Sequence, residues 1–151
     1  MALDLFEELT TLVLAFDAGG IEYALCGGLA LAVHGAPRFT KDIDLLVLPA
    51  DVVRAKAVAR ALGFVAESLP MRFLGTGEMH RVVKFGGAGE VLMLDLLLVG
   101  PELEPVWASR ERRALVEGTI SVVSRAALVS MKLAAGREQD LVDVKKLSEQ
   151  E

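Results

Sequence analysis

Residues 91–99, Val-Leu-Met-Leu-Asp-Leu-Leu-Leu-Val, restrict this chain more than any other stretch. A membrane-spanning helix needs about 20 apolar residues, so a nine-residue run reads as a buried strand instead. Asp95 stands at its centre with four apolar residues on each side. Burying an unpaired carboxylate costs several kcal/mol or forces it neutral. A fold that hides this strand must turn Asp95 outward, spend it on a structural hydrogen bond, or use it chemically.

The rest of the chain supplies elements to cover such a strand. Apolar residues at Leu5, Leu9, Leu12 and Phe16 predict a helix over 3–18, ended by Gly19-Gly20. A short strand is expected at 23–26, broken by Gly27-Gly28, then a helix over 29–34 and an apolar strand over 43–48 stopped by Pro49. A helix follows over 51–62. Strand-like pieces lie at 64–67, 71–74 and 81–85, separated by glycine-rich turns, and read as an antiparallel meander. A short helix is expected over 104–113. A hairpin is expected between 115–117 and 120–123 around Gly118-Thr119. Ser124 reads as the N-cap of a helix over 125–135, interrupted by Gly136, with a last helix over 138–147. The expected fold class is α/β (α+β), a mixed β-sheet covered by helices. The expected organisation is one domain over 1–151, with a core over about 1–123 and a C-terminal helical segment over about 124–147.

Charge and composition exclude several functions. Sixteen basic against 21 acidic residues give a net charge of −5, which argues against a broad basic surface for wrapping duplex DNA but leaves room for a local phosphate pocket. One cysteine, Cys26, rules out an internal disulfide and suits a reducing compartment. Asp4, Glu7 and Glu8 precede any Lys or Arg, so the start does not read as a signal peptide, and a cytoplasmic location is expected.

The chemistry concentrates between Tyr23 and Val47. In a strand, residues i and i+2 share a face, so Asp42 and Asp44 sit side by side at the mouth of an apolar strand. Two such carboxylates repel, and one is pushed up in pKa unless a cation lies between them. Hard divalent ions take oxygen ligands, which makes paired Asp the expected cage for Mg²⁺, with Mn²⁺ as a substitute. Asp95 becomes the natural third ligand. Three carboxylates around one or two Mg²⁺ ions activate a hydroxyl and stabilise a leaving phosphate. Gly27 and Gly28, between strand and helix, allow backbone N–H groups to approach a phosphate. No Gly-Lys-Ser/Thr follows them, so this is not a Walker loop.

Gly-Gly, thirteen residues, Asp-x-Asp and a later strand Asp together resemble the polymerase-beta-like nucleotidyltransferase superfamily. The closer resemblance is to small prokaryotic nucleotidyltransferases of the AbiEii/AbiGii toxin type. It is carried by Gly27, Gly28, Ala30, His34, Gly35, Arg38, Thr40, Asp42, Ile43, Asp44 and Leu45, and by the Lys-Leu-x-Ala … Arg … Asp-x-x-Asp pattern within residues 127–144. The resemblance implies transfer of a nucleoside monophosphate from an NTP to an acceptor hydroxyl, with release of pyrophosphate. In that scheme Gly27 and Gly28 cradle the triphosphate, and Asp42 and Asp44 hold the metals of a two-metal site. Asp95 completes the second metal site and helps deprotonate the acceptor. Arg38, Thr40, Lys132 and Arg137 contact phosphate or base, and Asp140 orients one of the cations. The implied acceptor is RNA, such as a tRNA end, or a protein hydroxyl. A small-molecule (antibiotic) acceptor is the alternative enzyme reading. The alternative from another class is a non-catalytic nucleotide- or partner-binding domain, against which the intact carboxylate set argues. A cognate antitoxin is implied by the resemblance alone.

Other conspicuous residues read more plainly. His34 has no second His or Cys at a metal spacing and is expected to be structural. Cys26 reads as a small buried residue. Trp107 is expected to pack rather than stack on a base. Arg110, Arg112 and Arg113 are expected on a solvated helix face, the best local candidate for an RNA-backbone contact.

Overall fold

Local signals set most of the elements. The computed structural model describes residues 3–73 and 77–149. Helix α1 (Leu5–Ala18) starts where the Asp4 carboxylate accepts the Glu7 N–H at 3.0 Å, with Glu7 and Glu8 against the positive end of the helix dipole. It buries Leu9, Leu12, Val13 and Phe16. Gly20 takes the left-handed conformation that ends it. There follow β1 (Ala24–Cys26), α2 (Gly27–Val33), β2 (Asp42–Val47) and, after a 3-10 turn, α3 (Val52–Ala61). The middle of the chain is β3 (Phe64–Glu67), β4 (Met71–Phe73), β5 (Gly77–Phe85) and β6 (Val91–Leu98). The last third is α4 (Glu104–Ala108), β7 (Glu111–Ala114), β8 (Thr119–Val122), α5 (Arg125–Ala135) and α6 (Glu138–Glu149).

The eight strands form one mixed sheet in the order β3-β5-β6-β2-β1-β8-β7, with β4 also paired to β5. β2 with β6 and β1 with β8 run parallel, and every other pairing is antiparallel. The α/β mixed-sheet architecture expected from the sequence is the one observed, including the antiparallel meander through β3 to β6. Alternation along β2 sends Ile43, Leu45 and Val47 to one face and Asp42, Asp44 and Leu46 to the other. Phe16, Leu25, Ile43, Leu45, Leu94 and Leu96 are fully buried and anchor the core. Among the described residues no helix is long and apolar enough to cross a membrane.

Two expectations are corrected. Gly27-Gly28 ends β1 as expected, with Gly27 turning at φ 69°, but α2 already begins with these glycines, two residues earlier than expected. The helix expected over 104–113 stops at Ala108, because residues 111–114 find a better partner in β8. There Glu111 registers with Val122 and Ala114 with Thr119, so sheet pairing overrides local helical propensity. The hairpin exists, but its first strand lies earlier than the expected 115–117, and the turn closes with Leu115 N–H donating to the Gly118 carbonyl.

The C-terminal helices are joined by buried charge. Ser124 caps α5 by accepting the Ala127 N–H at 3.0 Å, and Gly136, at φ 65°, ends it so that α6 folds back. Lys132, expected to contact phosphate or base, is buried under α6. Its Nζ lies 2.9 Å from Asp143 Oδ2 and 3.4 Å from Asp140 Oδ1. Asp140 also accepts Arg137 Nε at 2.7 Å and the Arg137 backbone N–H at 3.1 Å. Asp143 accepts Arg38 Nε and Gln139 Nε2, both at 2.9 Å. Burial pushes both carboxyls up, but these hydrogen bonds and charges outweigh it and hold both below the usual carboxylate range.

Removing one member of such a cluster strands the others in a low dielectric. Lys132→Ala is expected to lower the unfolding free energy at pH 7 by about 3 kcal/mol, as read by urea denaturation. In the wild type, depressed folded-state pKa values mean stability present above the unfolded value of about 3.9 and lost as pH falls through the lower folded values. The Lys132→Ala curve should lose less on acidification from pH 5 than the wild-type curve. Equal losses would show that the cluster is not coupled to folding.

Candidate active site

One cross-strand row organises the site. In the sheet register Cys26 of β1 pairs with Asp44 of β2, Asp44 with Asp95 of β6, and Asp95 with Arg81 of β5. Registered residues share a face, so these four side chains stand in line, and Asp42, two residues before Asp44, joins them. Asp95 is therefore on the same side of the sheet as the Asp42/Asp44 pair. The row opens on a cleft of about 910 Å³. Gly27, Gly28, Arg38, Thr40, Lys132, Arg137 and Asp140 line that cleft together with Asp42, Asp44 and Asp95, so all ten residues singled out in the sequence meet in one place.

The electrostatics of the two walls are opposed. On the sheet side, burial and then the charges of Asp95 and Asp42 push the Asp44 carboxyl up to about 7, aided by a hydrogen bond with Asp95 and opposed by Lys132. Burial and Asp95 likewise raise Asp42, against Arg81 and Lys41. Asp95 is held by Arg81 in a two-pronged pair: Nε to Oδ1 at 2.7 Å and Nη2 to Oδ2 at 3.0 Å. On the helix side stand Arg38, Lys132 and Arg137, held by Asp143 and Asp140 as described above.

The two glycines admit neighbouring side chains. Gly27 has φ 69°, and a Cβ there would run into the Asp44 carboxylate. A Cβ on Gly28 would lie 2.6 Å from Thr40 Oγ1. The first demand on Gly27 and Gly28 is thus room for Asp44 and Thr40 at the floor of the cleft. Arg38 also donates from Nη1 to the Phe39 carbonyl at 3.0 Å, fixing the loop that carries Thr40.

Two residues were missed. Arg81 carries no local motif; only the β5–β6 register shows it opposite Asp95. Asp143 lay within the quoted Asp-x-x-Asp pattern but had no role, because the spacing does not show that Arg38, 105 positions away, would reach it.

The other readings are settled by contacts. His34 is buried with Nε2 2.8 Å from the Val123 carbonyl, joining the end of α2 to the end of β8 as a structural residue. Cys26 is buried, its Sγ 3.6 Å from the Asp44 carbonyl; burial and then the Asp44 charge push its thiol well above the ordinary value, which keeps it protonated. The basic cluster is corrected. Arg112 and Arg113 lie on strand β7 and Arg110 just before it, not on a helix, and each has a partner. Arg110 covers the Trp107 ring at 3.9 Å and pairs with Glu22, Arg112 pairs with Asp17, and Arg113 with Glu111.

Divalent metal is the group this donor set implies. Asp42 and Asp44 fit it: both are hard oxygen donors on one face, crowded enough to need a cation, and neither has an ion pair among the described residues. Asp95 fits less simply, since both its oxygens are engaged by Arg81. Among the described residues, no group of three or more His, Cys, Asp or Glu side chains converges as a metal-holding set.

Residues 10–151 match the profile of the family described as nucleotidyl transferase AbiEii toxin, type IV TA system. No curated protein matches the chain. Among solved structures, the chain is similar to lincosamide antibiotic adenylyltransferase LnuA with lincomycin bound (TM-score 0.65, 13% identity, 96% of this chain and 97% of that one covered). It is similar to ANT(2")-Ia in complex with adenylyl-2"-tobramycin (0.62, 14%, 93% and 86%) and to JHP933 from Helicobacter pylori (0.53, 16%, 98% and 68%). At such identities these structures speak for the fold alone, and the fold is that of nucleotidyltransferases. Because the family match runs from residue 10 to residue 151, the chain belongs to the AbiEii nucleotidyl transferases and is a transferase enzyme.

Proposed function

We propose that this protein transfers a nucleoside monophosphate from an NTP to the hydroxyl of an acceptor, an RNA end or a protein side chain, and releases pyrophosphate. The observation that carries the reading is the placement of Asp42, Asp44 and Asp95 on one wall of a cleft whose other wall presents Arg38, Lys132 and Arg137. Asp42 and Asp44 would hold Mg²⁺, or Mn²⁺ in its place. A divalent ion there supplies charge neutralisation to the phosphates.

The chain's own residues do the rest. Arg38, Lys132 and Arg137 bind the triphosphate, with Asp143 and Asp140 keeping their head groups oriented before substrate arrives. Gly27, Gly28 and Thr40 form the floor on which it lies. The acceptor oxygen bonds to the α-phosphorus while the bond from that phosphorus to the bridging oxygen breaks, and pyrophosphate leaves. Asp95 takes the hydroxyl proton. Family membership supports a toxin role with a cognate antitoxin as partner. One observation favours a small-molecule acceptor as the second reading. The cleft's volume suits a nucleotide with one small acceptor.

The protein incubated with each labelled NTP, Mg²⁺, total RNA, lysate protein and a small-molecule fraction is expected to label RNA or protein. Label confined to small molecules would establish the second reading and end the first. Asp42→Asn, Asp44→Asn and Asp95→Asn should each lower transfer by on the order of 10²–10⁴-fold. Undiminished transfer in any of them would remove that residue from the site.

Crowded carboxylates have a stability consequence as well. A carboxyl raised to about 7 in the folded state leaves stability intact below the unfolded value of about 3.9 and subtracts from it as pH rises through 7. In metal-free buffer at pH 8, Asp44→Asn is expected to raise Tm by about 2–4 °C, a relief on the order of 1 kcal/mol, while abolishing transfer. A lower Tm at pH 8 would show that the Asp44 carboxylate is not under strain.

A further inference from the structure

We propose that this site takes one divalent ion per chain, on Asp42 and Asp44, and that Arg81 is a built-in cation standing on Asp95 where a second ion would otherwise bind. The inference rests on the metal-dependent reading above and departs from the two-metal arrangement that the sequence suggested.

The geometry of Asp95 carries it. Both carboxylate oxygens accept from the same guanidinium, at 2.7 and 3.0 Å, in the planar fork that makes Arg–carboxylate pairs the strongest of their kind. The Asp95 side chain is 5% exposed and that of Arg81 29%. An ion taking Asp95 would have to break a pair whose carboxylate is shielded from water and leave a guanidinium beside it, a like charge a few ångströms away.

The pair is also held in place by backbone. β5 and β6 are registered from Met79 opposite Leu97 to Phe85 opposite Val91, with Arg81 directly opposite Asp95. Separating the two residues along the strands requires a register slip, which would turn every side chain of one strand to the other face. Asp42 and Asp44 stand differently. They share the face, and although Arg81, Lys41 and Lys132 lie near enough to act on them by charge, neither forms an ion pair among the described residues. Charge counting agrees. Arg81 takes up one of the three negative charges, and the two left over equal the charge of one divalent ion.

The test counts ions without requiring turnover. Purified full-length protein is titrated with Mn²⁺ alone, and free Mn²⁺ is followed by its electron paramagnetic resonance signal. The wild type is expected to bind one Mn²⁺ per chain. Asp44→Asn should weaken that binding by about tenfold or more. Asp95→Asn removes a charge that stands beside Asp44 and leaves Arg81 uncompensated, so it should still bind one Mn²⁺ but about tenfold or more weakly. Arg81→Gln frees Asp95 and should bind a second ion. Two ions on the wild type, or a single ion on folded Arg81→Gln, would overturn the inference and leave the metal-dependent reading standing. No Mn²⁺ on the wild type at millimolar concentration would overturn both. Should Arg81→Gln fail to fold, the wild-type count decides the matter.

Discussion

The parallel pairing of β2 with β6 is the constraint on which the rest depends. It sets Asp42 opposite Met93, Asp44 opposite Asp95, and then runs through Leu45, Leu46 and Val47 opposite Leu96, Leu97 and Leu98. The apolar end holds the register for the charged end. A slip of one residue would exchange Asp44 for Ile43 or Leu45 on the cleft face and drive a carboxylate into the fully buried side, an expense no surface contact offsets. A strand with five leucines around one aspartate thus combines two functions: burial that fixes position, and a charge whose position is thereby fixed.

The opposite wall works by a different principle. Arg38, Lys132 and Arg137 come from a loop, a helix and a helix junction, and none would hold its direction alone. Asp143 and Asp140, both essentially inaccessible to water, tie the three together from beneath α6. Cations restrained in this way meet an anion with little reorganisation, which is where an electrostatic site gains over flexible lysines in water. The same lattice attaches α6 to the loop before β2, so the C-terminal helix contributes to the site as much as to the fold.

What could be read from the sequence follows from how far each signal reaches. Asp42 and Asp44 are two apart on one strand and Asp95 is a charge inside an apolar run; both are local anomalies, and both were legible. So were helix α1, through its apolar spacing, and helix α5, whose Ser124 cap acts within three residues. Arg81 was not, because nothing near it in the chain marks it; its partner is 14 residues away across a turn, and only the register pairs them. The burial of Lys132 was not legible either, because the helix pattern around it shows its neighbours but not that α6 would fold over it. β7 was misread as helix for a related reason: Glu111–Ala114 has little of its own to favour a strand, and the neighbouring β8 edge decides.

The glycine pair joins these strands of argument. Because β1 runs antiparallel to β2 and ends with Cys26 opposite Asp44, the chain must turn into α2 directly over the carboxylate row. The residue at that turn needs a positive φ, and the space its Cβ would fill belongs to the Asp44 side chain. Glycine at position 27 answers both demands at once, before any phosphate is considered. Gly28 meets the equivalent demand from Thr40, whose loop is held by Arg38 and, through it, by Asp143 on α6. The sheet wall and the helix wall are therefore not independent halves. They meet at two residues without side chains, and the closeness of that meeting keeps the carboxylates and the cations around a single cleft.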